Sequence, residues 1–379
     1  MATNFGSLSI VSAQDDLLYT SEGETLTDLF TAHGTAWLGH GRAEVRAALA
    51  RQLDAVWITG GIPTPAVQAM RARVAGFLPP GYVLASLAST GMEANEQALR
   101  IARVTTGRNG ALGLAGAMHG KSLATATLAW DNGDGAAPAG FYRVAAGPGV
   151  DEAATLDAID GALRTGAVAA LYIEPVHGTS FGWEGSPGFY TAVRALATRH
   201  GTMLVYDEVL TGCHRTGTRF RCQAQGVAPD ILTFGKGLGN GFPVAGVAVR
   251  SDIAILPRML LGSTFSNNPL AAAAVDATLA CLEALDPAAL VGAIERTVLH
   301  HLGWAAAGPA PRLRGCGAMW VIALDTPQQA EACVQALRMA GVCVGFHGRQ
   351  LRLLPSLTIA PARLERACAE VARVVAAQA

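Results

Sequence analysis

Four short apolar runs in the middle of the chain constrain its fold more than any other feature. They are VAALYI (168–173), MLVY (203–206), ILTF (231–234) and VAGVAV (244–249). A helix is predicted between the first two, with Ser186 as its N-cap, Pro187 in its first position and Gly201 just past its end. Unbroken apolar strands that alternate with helices predict an α/β fold, in which helices cover both faces of a mainly parallel sheet.

The length of the chain and one helix start predict its division into domains. The 379 residues suggest about two domains, at roughly 100–200 residues each. Asn268 and Pro269 open a long apolar helix, which we expect to lead out of the sheet domain. We therefore predict an N-terminal arm over 1–45 that joins the small domain, a large domain over 46–275 and a smaller C-terminal α/β domain over 276–379.

Composition and charge argue against several classes of protein. Hydrophobic residues make up 51% of the chain and charged residues 15%, yet no window of about 18 residues is apolar throughout. We expect a large buried core or a buried subunit interface, and no membrane span. The formal charge of −1 gives no basic field for nucleic acid.

The N-terminus and the cysteines indicate the compartment. The first twenty residues lack the basic and apolar regions of a signal peptide, which predicts a cytoplasmic protein. Reduced thiols are expected for the seven scattered cysteines. The spacing of Cys213, His214 and Cys222 matches no zinc pattern, so we expect no metal.

Three chemically capable side chains follow strand ends. Glu174 follows the first run, Asp207 follows the second, and Lys236 lies two residues beyond the third. Ligands of such sheets bind beyond the carboxyl ends of the strands, so we expect these side chains to meet at one rim. Only two lysines, Lys121 and Lys236, stand among the 28 basic residues, and a desolvated lysine amine can act as a nucleophile where arginine cannot.

The stretch AGAMHGKS (115–122) offers a different hypothesis. Its Gly-Lys-Ser ending resembles the phosphate loop of a nucleotide hydrolase, although Ala115 replaces the first glycine of that pattern. The carboxylates of Asp207 and Glu208 could then hold magnesium. An ATPase that uses Lys121 therefore stands as an alternative at this stage.

The segment 203–246 closely resembles the central segment of class III aminotransferases, which use pyridoxal 5'-phosphate and have the fold-type I architecture. The positions in register are Asp207, Thr211, Gly212, Arg215, Thr216, Gly217, Pro229, Asp230, Lys236 and Gly237. The resemblance extends from WLGHGRAEVRAALARQLD (37–54) to LRLLPSLTIAP (351–361), which is most of the chain.

The resemblance implies roles for the residues near the cofactor ring. Lys236 would form the Schiff base with the cofactor aldehyde and move the proton. Asp207 would hold the pyridine nitrogen protonated, and Val209 would pack on one face of the ring. Glu174 takes the place of the family's glutamate after the strand.

A second set of residues is implied for the cofactor phosphate. The segment STGMEANEQALRIAR (89–103) matches the family's phosphate-binding turn, with Thr90, Gly91 and Met92 at its start. Thr90 and Glu93 have the spacing of a capping box, and a helix N-terminus favours an anion. Thr264 matches the threonine that reaches the phosphate from the neighbouring subunit, which implies a homodimer with shared active sites.

The loop 115–122 and three other positions show where the match is incomplete. Met118 and His119 stand where the family has an aromatic residue and His, and Lys121 would then be a solvated loop residue. The further departures are His177 and Leu210 in place of Gln, and Thr179 in place of Glu. We expect His177 to be a hydrogen-bonded pocket histidine. Arg352 matches the gateway arginine that binds a substrate carboxylate.

The implied function is amino-group transfer between an amine, ω-amino acid or β-amino acid and a keto acid. The residues leave open which donor is used. An aminomutase or racemase of the same fold is the nearest alternative, and a non-catalytic cofactor-binding protein is a more remote one.

Overall fold

A computed structural model describes residues 8–129, 138–307 and 312–378 of the chain. The strands are β1 (Ile10–Gln14), β2 (Leu17–Thr20), β3 (Thr25–Asp28), β4 (Tyr82–Ala88), β5 (Gly110–Leu114), β6 (Phe141–Val144), β7 (Val168–Ile173), β8 (Met203–Glu208), β9 (Ile231–Phe234), β10 (Ala245–Arg250), β11 (Leu313–Cys316), β12 (Met319–Ala323), β13 (Val342–Cys343), β14 (Gly345–His347) and β15 (Gln350–Leu353).

Helices connect and cover these strands. They are α1 (Thr31–Gly34), α2 (Ala43–Ala55), α3 (Pro65–Phe77), α4 (Gly91–Thr106), α5 (Leu123–Thr127), α6 (Glu152–Leu163), α7 (Pro187–Arg199), α8 (Arg221–Ala224), α9 (Pro269–Ala284), α10 (Pro287–Leu302), α11 (Pro327–Met339) and α12 (Pro361–Ala376). Short 3-10 turns cover Lys236–Gly239, Pro257–Met259 and Gly303–Ala306.

The large sheet has seven strands in the order β4-β10-β9-β8-β7-β5-β6. All neighbouring pairs are parallel except those of β10, which runs antiparallel to both β4 and β9. Every residue of β5, β7, β8 and β9 is buried, as expected for strands that are covered on both faces. The predicted α/β fold with a mainly parallel, helix-covered sheet is confirmed.

The observed strands lie close to the residue ranges that were predicted for them. The runs 168–173 and 231–234 match β7 and β9, whereas β8 continues two residues past Tyr206 and β10 begins one residue after Val244. The helix α7 has Ser186 as its N-cap, whose side chain accepts a hydrogen bond from the backbone N–H of Phe189. The helix that opens at Pro269 is α9.

Two smaller four-stranded sheets complete the fold. One joins the two ends of the chain, because β13 pairs in parallel with β3 in the order β1-β2-β3-β13. The other is antiparallel, in the order β11-β12-β15-β14. The predicted domain boundaries at 45 and 275 fall inside α2 and α9, and the division into domains remains a prediction.

The first helix is a single left-handed turn. Thr31, Ala32 and His33 have φ values of 45°, 49° and 62°, and Gly34 follows at 85°. Each non-glycine residue in this conformation costs roughly 1–2 kcal/mol, so the surroundings must hold the turn in place. The carboxylate of Asp28 accepts hydrogen bonds from the backbone N–H groups of Phe30 and Thr31, both at 2.8 Å, and so fixes its start.

Within the described ranges, no single helix is long and apolar enough to cross a membrane. The helix pair Pro269–Ala284 and Pro287–Ala306 meets the length and composition test only when taken together, with a bend of 77° between its two parts.

Candidate active site

A cavity of about 390 Å³ lies beyond the carboxyl ends of β8 and β9. Its walls bring together eight of the residues that the sequence analysis assigned to the cofactor. Those eight residues are Thr90, Gly91, Met92, Met118, His119, Asp207, Val209 and Lys236. The other residues that line it are Thr35, Ser89, Asn95, Gly120, Gly241, Phe242, Pro243 and Val244.

Lys236 lies on a turn that lines the cavity, and the residues next to it in this turn must be small. It has a φ of 43°, and the glycines around it are in close contact with other segments. A Cβ on Gly237 would lie 3.1 Å from the side chain of Trp37, and one on Gly239 would lie 2.6 Å from that of Val244. The glycine-rich sequence around the lysine is therefore explained by packing.

The amine of Lys236 is easier to deprotonate than that of an ordinary lysine. Burial, followed by the positive charge of Arg352, lowers its pKa to about 8. The negative charges of Asp207 and Glu174 act in the opposite direction but do not cancel this effect. About a tenth of the amine is therefore neutral, and nucleophilic, at pH 7, far more than for an ordinary lysine.

Asp207 is held in one orientation by three N–H donors. Its Oδ2 accepts hydrogen bonds from Asn95 Nδ2 at 2.7 Å and from His119 Nδ1 at 2.9 Å. Its Oδ1 accepts one from the backbone N–H of Val209 at 3.1 Å. Since a carboxylate offers about four acceptor positions, roughly one remains for a ligand.

Asn95 is a site residue that the sequence analysis missed. It lies on the buried face of α4, and its amide donates to the backbone oxygen of His119 at 2.8 Å as well as to Asp207. Its Oδ1 accepts a hydrogen bond from Thr233 at 2.8 Å. An asparagine on the apolar face of a helix is a signal for such a role, because asparagine is a poor helix former and costs free energy when it is buried without partners.

Glu174 lies behind the cavity and positions the loop that carries Met118. Its two carboxylate oxygens accept hydrogen bonds from the backbone N–H groups of Met118, at 2.9 Å, and Gly178, at 3.0 Å. Burial and the nearby charge of Asp207 raise its pKa to about 7. It does not line the cavity, so its part in holding a cofactor is indirect.

The N-terminus of α4 forms the other end of the cavity. Thr90 and Glu93 make the predicted capping box, since Glu93 accepts from the backbone N–H groups of Ser89 and Thr90, and Thr90 accepts from that of Glu93. A Cβ on Gly91 would lie 2.8 Å from Val209, so only glycine fits there without movement. The unpaired amides of a helix start and its dipole make this end suitable for an anion.

Two further assigned residues, and the second lysine, also lie outside the cavity lining. Thr264 is exposed on the segment that precedes α9, so it does not reach the cavity of its own chain. Arg352 lies on β15, within electrostatic range of Lys236. Lys121 is exposed, and the helix after it, α5, has only five residues. Because Asp207 is bound to Asn95 and His119, the geometry gives no support to the phosphate-loop hypothesis.

Two residues that depart from the family pattern, His177 and Leu210, have different surroundings in the structure. His177 is fully buried, and neither ring nitrogen has a hydrogen-bond partner among the described residues, so the expected hydrogen-bonded pocket histidine is wrong in that respect. Burial lowers its pKa to about 3, and its ring contacts Trp183. Leu210 joins an apolar cluster with Val176, Met319 and Leu354.

The residues present fit pyridoxal phosphate at three points. The start of α4 suits its phosphate, the remaining acceptor position of Asp207 suits a protonated ring nitrogen, and the amine of Lys236 suits its aldehyde. Met118 and Val209 line the same cavity and supply apolar surface for a ring. The donor set and the cavity are therefore compatible with this cofactor.

Known proteins of similar sequence and fold identify the family. A sequence model of the class III aminotransferases matches residues 2–375. The chain is 32% identical over 375 residues to the acetylornithine aminotransferase of Mycolicibacterium smegmatis, which covers 96% of this chain and 93% of that protein. It is 35% identical over 314 residues to the 5-aminovalerate aminotransferase of Pseudomonas aeruginosa, covering 76% of this chain and 73% of that protein.

A solved structure agrees with the sequence relatives. An amine transaminase from an uncultivated Pseudomonas species, in its pyridoxal-phosphate-bound form, superposes with a TM-score of 0.89 at 25% identity, over 98% of this chain and 95% of that chain. The family match spans nearly the whole chain, and the architecture is the one seen in that enzyme. This protein therefore belongs to the class III aminotransferases and is a pyridoxal-phosphate-dependent transaminase of fold type I.

Proposed function

We propose that this transaminase moves an amino group from an amine, an ω-amino acid or a β-amino acid to a keto acid, with Lys236 as the reacting amine. One observation carries this proposal. The only lysine in the cavity has a pKa lowered to about 8 and shares that cavity with the buried, triply hydrogen-bonded Asp207.

The cofactor and the protein divide the chemistry between them. When bound, pyridoxal phosphate supplies an aldehyde that joins to a primary amine and a ring that withdraws electrons from the substrate carbon. Lys236 would provide the amine for that aldehyde and, as the neutral amine, would be the base that moves the substrate proton. Asp207 would hold a proton at the ring nitrogen through its remaining acceptor position, and the side chains of Met118 and Val209, which line the same cavity, would exclude water.

The similar proteins support carboxylates among the substrates. Acetylornithine and 5-aminovalerate, named in the two relatives, are both acids that carry an amino group at the end of a chain. Arg352 is the residue of this chain that suits such an acid, because a guanidinium binds a carboxylate through two parallel hydrogen bonds.

We further propose a cytoplasmic homodimer in which Thr264 reaches the phosphate site of the partner chain. Thr264 lies between two large apolar side chains that are well exposed, Leu261 at 63% and Phe265 at 60%. Exposed apolar surface of this kind commonly marks a protein interface. Sedimentation should give a dimer, and Thr264→Ala should weaken cofactor binding without changing that mass. A monomer with full activity would refute the shared site.

The proposed function is tested by identifying which of the two lysines binds the cofactor covalently. Protein purified with pyridoxal phosphate is reduced with borohydride and digested, and the peptide that carries the cofactor is identified by mass spectrometry. We expect the label on Lys236, and a yellow absorption band that bleaches with an amino donor and returns with a keto acid.

Lys121→Ala is the matched control for Lys236→Ala, because these are the only two lysines. The first variant should keep the absorption band and the activity, and the second should lose both. A label on Lys121, or nucleotide binding that survives Lys236→Ala, would contradict the proposal. Conversion of a single substrate without any acceptor would point to an aminomutase or racemase.

A further inference from the structure

Left-handed residues stand at both ends of the turn that carries the reacting lysine. Lys236 has a φ of 43°, and Asn240, which follows the turn Lys236–Gly239, has a φ of 45°. A residue with a side chain is strained in this conformation, so contacts outside the turn must stabilise it. Two of the four residues in the turn are glycines, which have no side chains for such contacts.

The side chain of Asn240 makes two contacts of this kind. Its Oδ1 accepts a hydrogen bond from the backbone N–H of Leu38 at 2.7 Å, and its Nδ2 donates to the backbone oxygen of Gly39 at 3.1 Å. Both partners lie in the segment before α2, 202 and 201 residues away in the chain. One amide therefore joins the lysine turn to a distant segment at two adjacent points.

That distant segment has hydrogen bonds of its own. The backbone N–H of Leu357 donates to the backbone oxygen of Trp37 at 2.7 Å. The hydroxyl of Thr358 donates to the backbone oxygen of Leu38 at 3.0 Å. The side chain of Trp37 is fully buried and packs against Gly237 in the lysine turn. Asn240 therefore binds the turn to a segment that is itself fixed in place.

The residues that follow Asn240 form another part of the cavity wall. The segment 241–244 lines the cavity, and the backbone N–H of Phe242 donates to the backbone oxygen of Gly239 at 2.9 Å. Asn240 thus stands between the lysine and this wall. It does not line the cavity itself, so any effect that it has on the reaction must pass through its neighbours.

The amine of Lys236 has its altered pKa only in its present position. Loss of hydration is the largest cause of that change, and the charges of Arg352 and Arg215 also lower the pKa. The charges of Asp207 and Glu174 raise it. All of these effects weaken with distance, so an amine that moves toward water should regain a pKa nearer the ordinary value of about 10.4.

We propose that Asn240 is the positioning residue of Lys236. Its hydrogen bonds to Leu38 and Gly39 hold the strained turn, and with it the amine, at the place in the cavity where the amine reacts. This inference rests on the proposed function, since it takes Lys236 as the reacting amine. Asn240 touches no reacting atom and acts only through the position of the lysine.

The experiment uses Asn240→Gly, because glycine adopts a left-handed backbone without strain and the change removes only the side-chain hydrogen bonds. Capture of pyridoxal phosphate by cofactor-free protein is followed by stopped-flow absorbance over a series of pH values. We expect the midpoint to rise from about 8 by roughly one pH unit, which slows capture at pH 7 by roughly 10-fold. In the loaded enzyme, kcat should fall by roughly 10- to 100-fold, the cost of misplacing a catalytic group by about 1 Å, with little change in KM.

Two variants separate positioning from general damage. Asn267 is the other left-handed asparagine among the described residues, with a φ of 54° and an Oδ1 that accepts from the backbone N–H of Leu87 at 3.1 Å. Asn267→Gly is therefore the matched control and should leave the pH midpoint unchanged. Thr358→Val removes the hydrogen bond that supports Leu38 and should raise the midpoint by less than Asn240→Gly does.

The outcomes distinguish this inference from the proposed function. A folded Asn240→Gly protein with an unchanged midpoint and a normal kcat overturns the positioning role, and so does an equal shift in Asn267→Gly. If Asn240→Gly does not fold, an unchanged midpoint in folded Thr358→Val overturns it. A parent protein that captures no pyridoxal phosphate on Lys236 at any pH refutes the proposed function itself.

Discussion

Two buried arginines in this protein have opposite environments. Arg215 is 2% exposed, and its guanidinium donates to the backbone oxygens of Gly34 at 2.8 Å, Pro355 at 2.7 Å and Ala318 at 3.3 Å. Its flat face lies 3.8 Å from the ring centre of Trp37. Arg352 is buried almost as deeply and has none of these contacts among the described residues.

The contrast shows that burial alone does not reveal what a charged side chain does. Arg215 has its hydrogen bonds satisfied by three segments that are far apart in the chain, so it joins parts of the fold. Burial lowers its pKa to about 9, but carbonyl oxygens and an aromatic face replace part of its hydration. Arg352 lacks such replacements, and this is the environment expected of a binding group.

The largest predicted effect is the loss of stability in Arg215→Met. Three buried carbonyl oxygens would lose their donor, and we expect the free energy of unfolding to fall by about 3–5 kcal/mol. Denaturant unfolding followed by circular dichroism measures this change. Arg215→Lys is the control, because it keeps the charge and should cost less. A loss below about 1 kcal/mol would remove the distinction between the two arginines.

Arg352→Met should lower activity and leave stability almost unchanged, which is the reverse of the effect expected for Arg215→Met. Replacing an unpaired buried charge by an apolar side chain should leave the free energy of unfolding unchanged or raise it slightly. The kcat/KM for acid substrates should fall by roughly 10- to 100-fold, because one charged interaction is lost. Unfolding and steady-state assays on the same preparation test both parts. A destabilised variant with normal kinetics would show that Arg352 is structural.

A smaller effect is expected for Thr31→Val. The hydroxyl of Thr31 donates to the backbone oxygen of Leu354 at 2.6 Å, and this contact ties the left-handed turn to the end of β15. The turn also presents Gly34 to Arg215. Valine has a similar shape, so the variant should lose about 1 kcal/mol of unfolding free energy, close to the value of one hydrogen bond. Thr35→Val, at a more exposed hydroxyl in the same segment, should lose less.

The smallest effect concerns pH. Neutral amine is needed for covalent capture of pyridoxal phosphate, so in cofactor-free protein the capture rate should rise with pH and level off above about 8, the pKa of Lys236. The charge of Arg352 helps to lower that pKa, so Arg352→Met should move the midpoint upward. Stopped-flow absorbance at a series of pH values gives both midpoints. A downward movement would mean that Arg352 does not act on the amine.

Much of the fold could be predicted because local patterns determine it. The unbroken apolar runs of β7 and β9 and the capped start of α7 are properties of a few adjacent residues. The antiparallel direction of β10 could not be predicted, because it depends on how the chain returns between β9 and β4. A run of apolar residues carries no information about strand direction.

The candidate site was predictable where one side chain is enough to suggest a role. Lys236 lies two residues past β9, Asp207 is the second-last residue of β8, and Thr90 has its partner Glu93 three residues away. Asn95 was missed because its function comes from contacts with residues of other elements, at His119 and Asp207. For the same reason, the sequence could not predict that Arg352 has no partner among the described residues. Its surroundings depend on side chains that other segments of the chain bring near it.

The pairing of β3 with β13 has a consequence for the order of events during synthesis. Thr27 faces Val342 and Asp28 faces Cys343, so the N-terminal sheet gains its last strand only after about 300 further residues have been made. At ribosomal rates this takes roughly 15 to 60 s. Throughout that time the edge of β3 stays open, and open edges pair readily with foreign strands. The nascent chain therefore needs protection at the edge of β3 until β13 has been made.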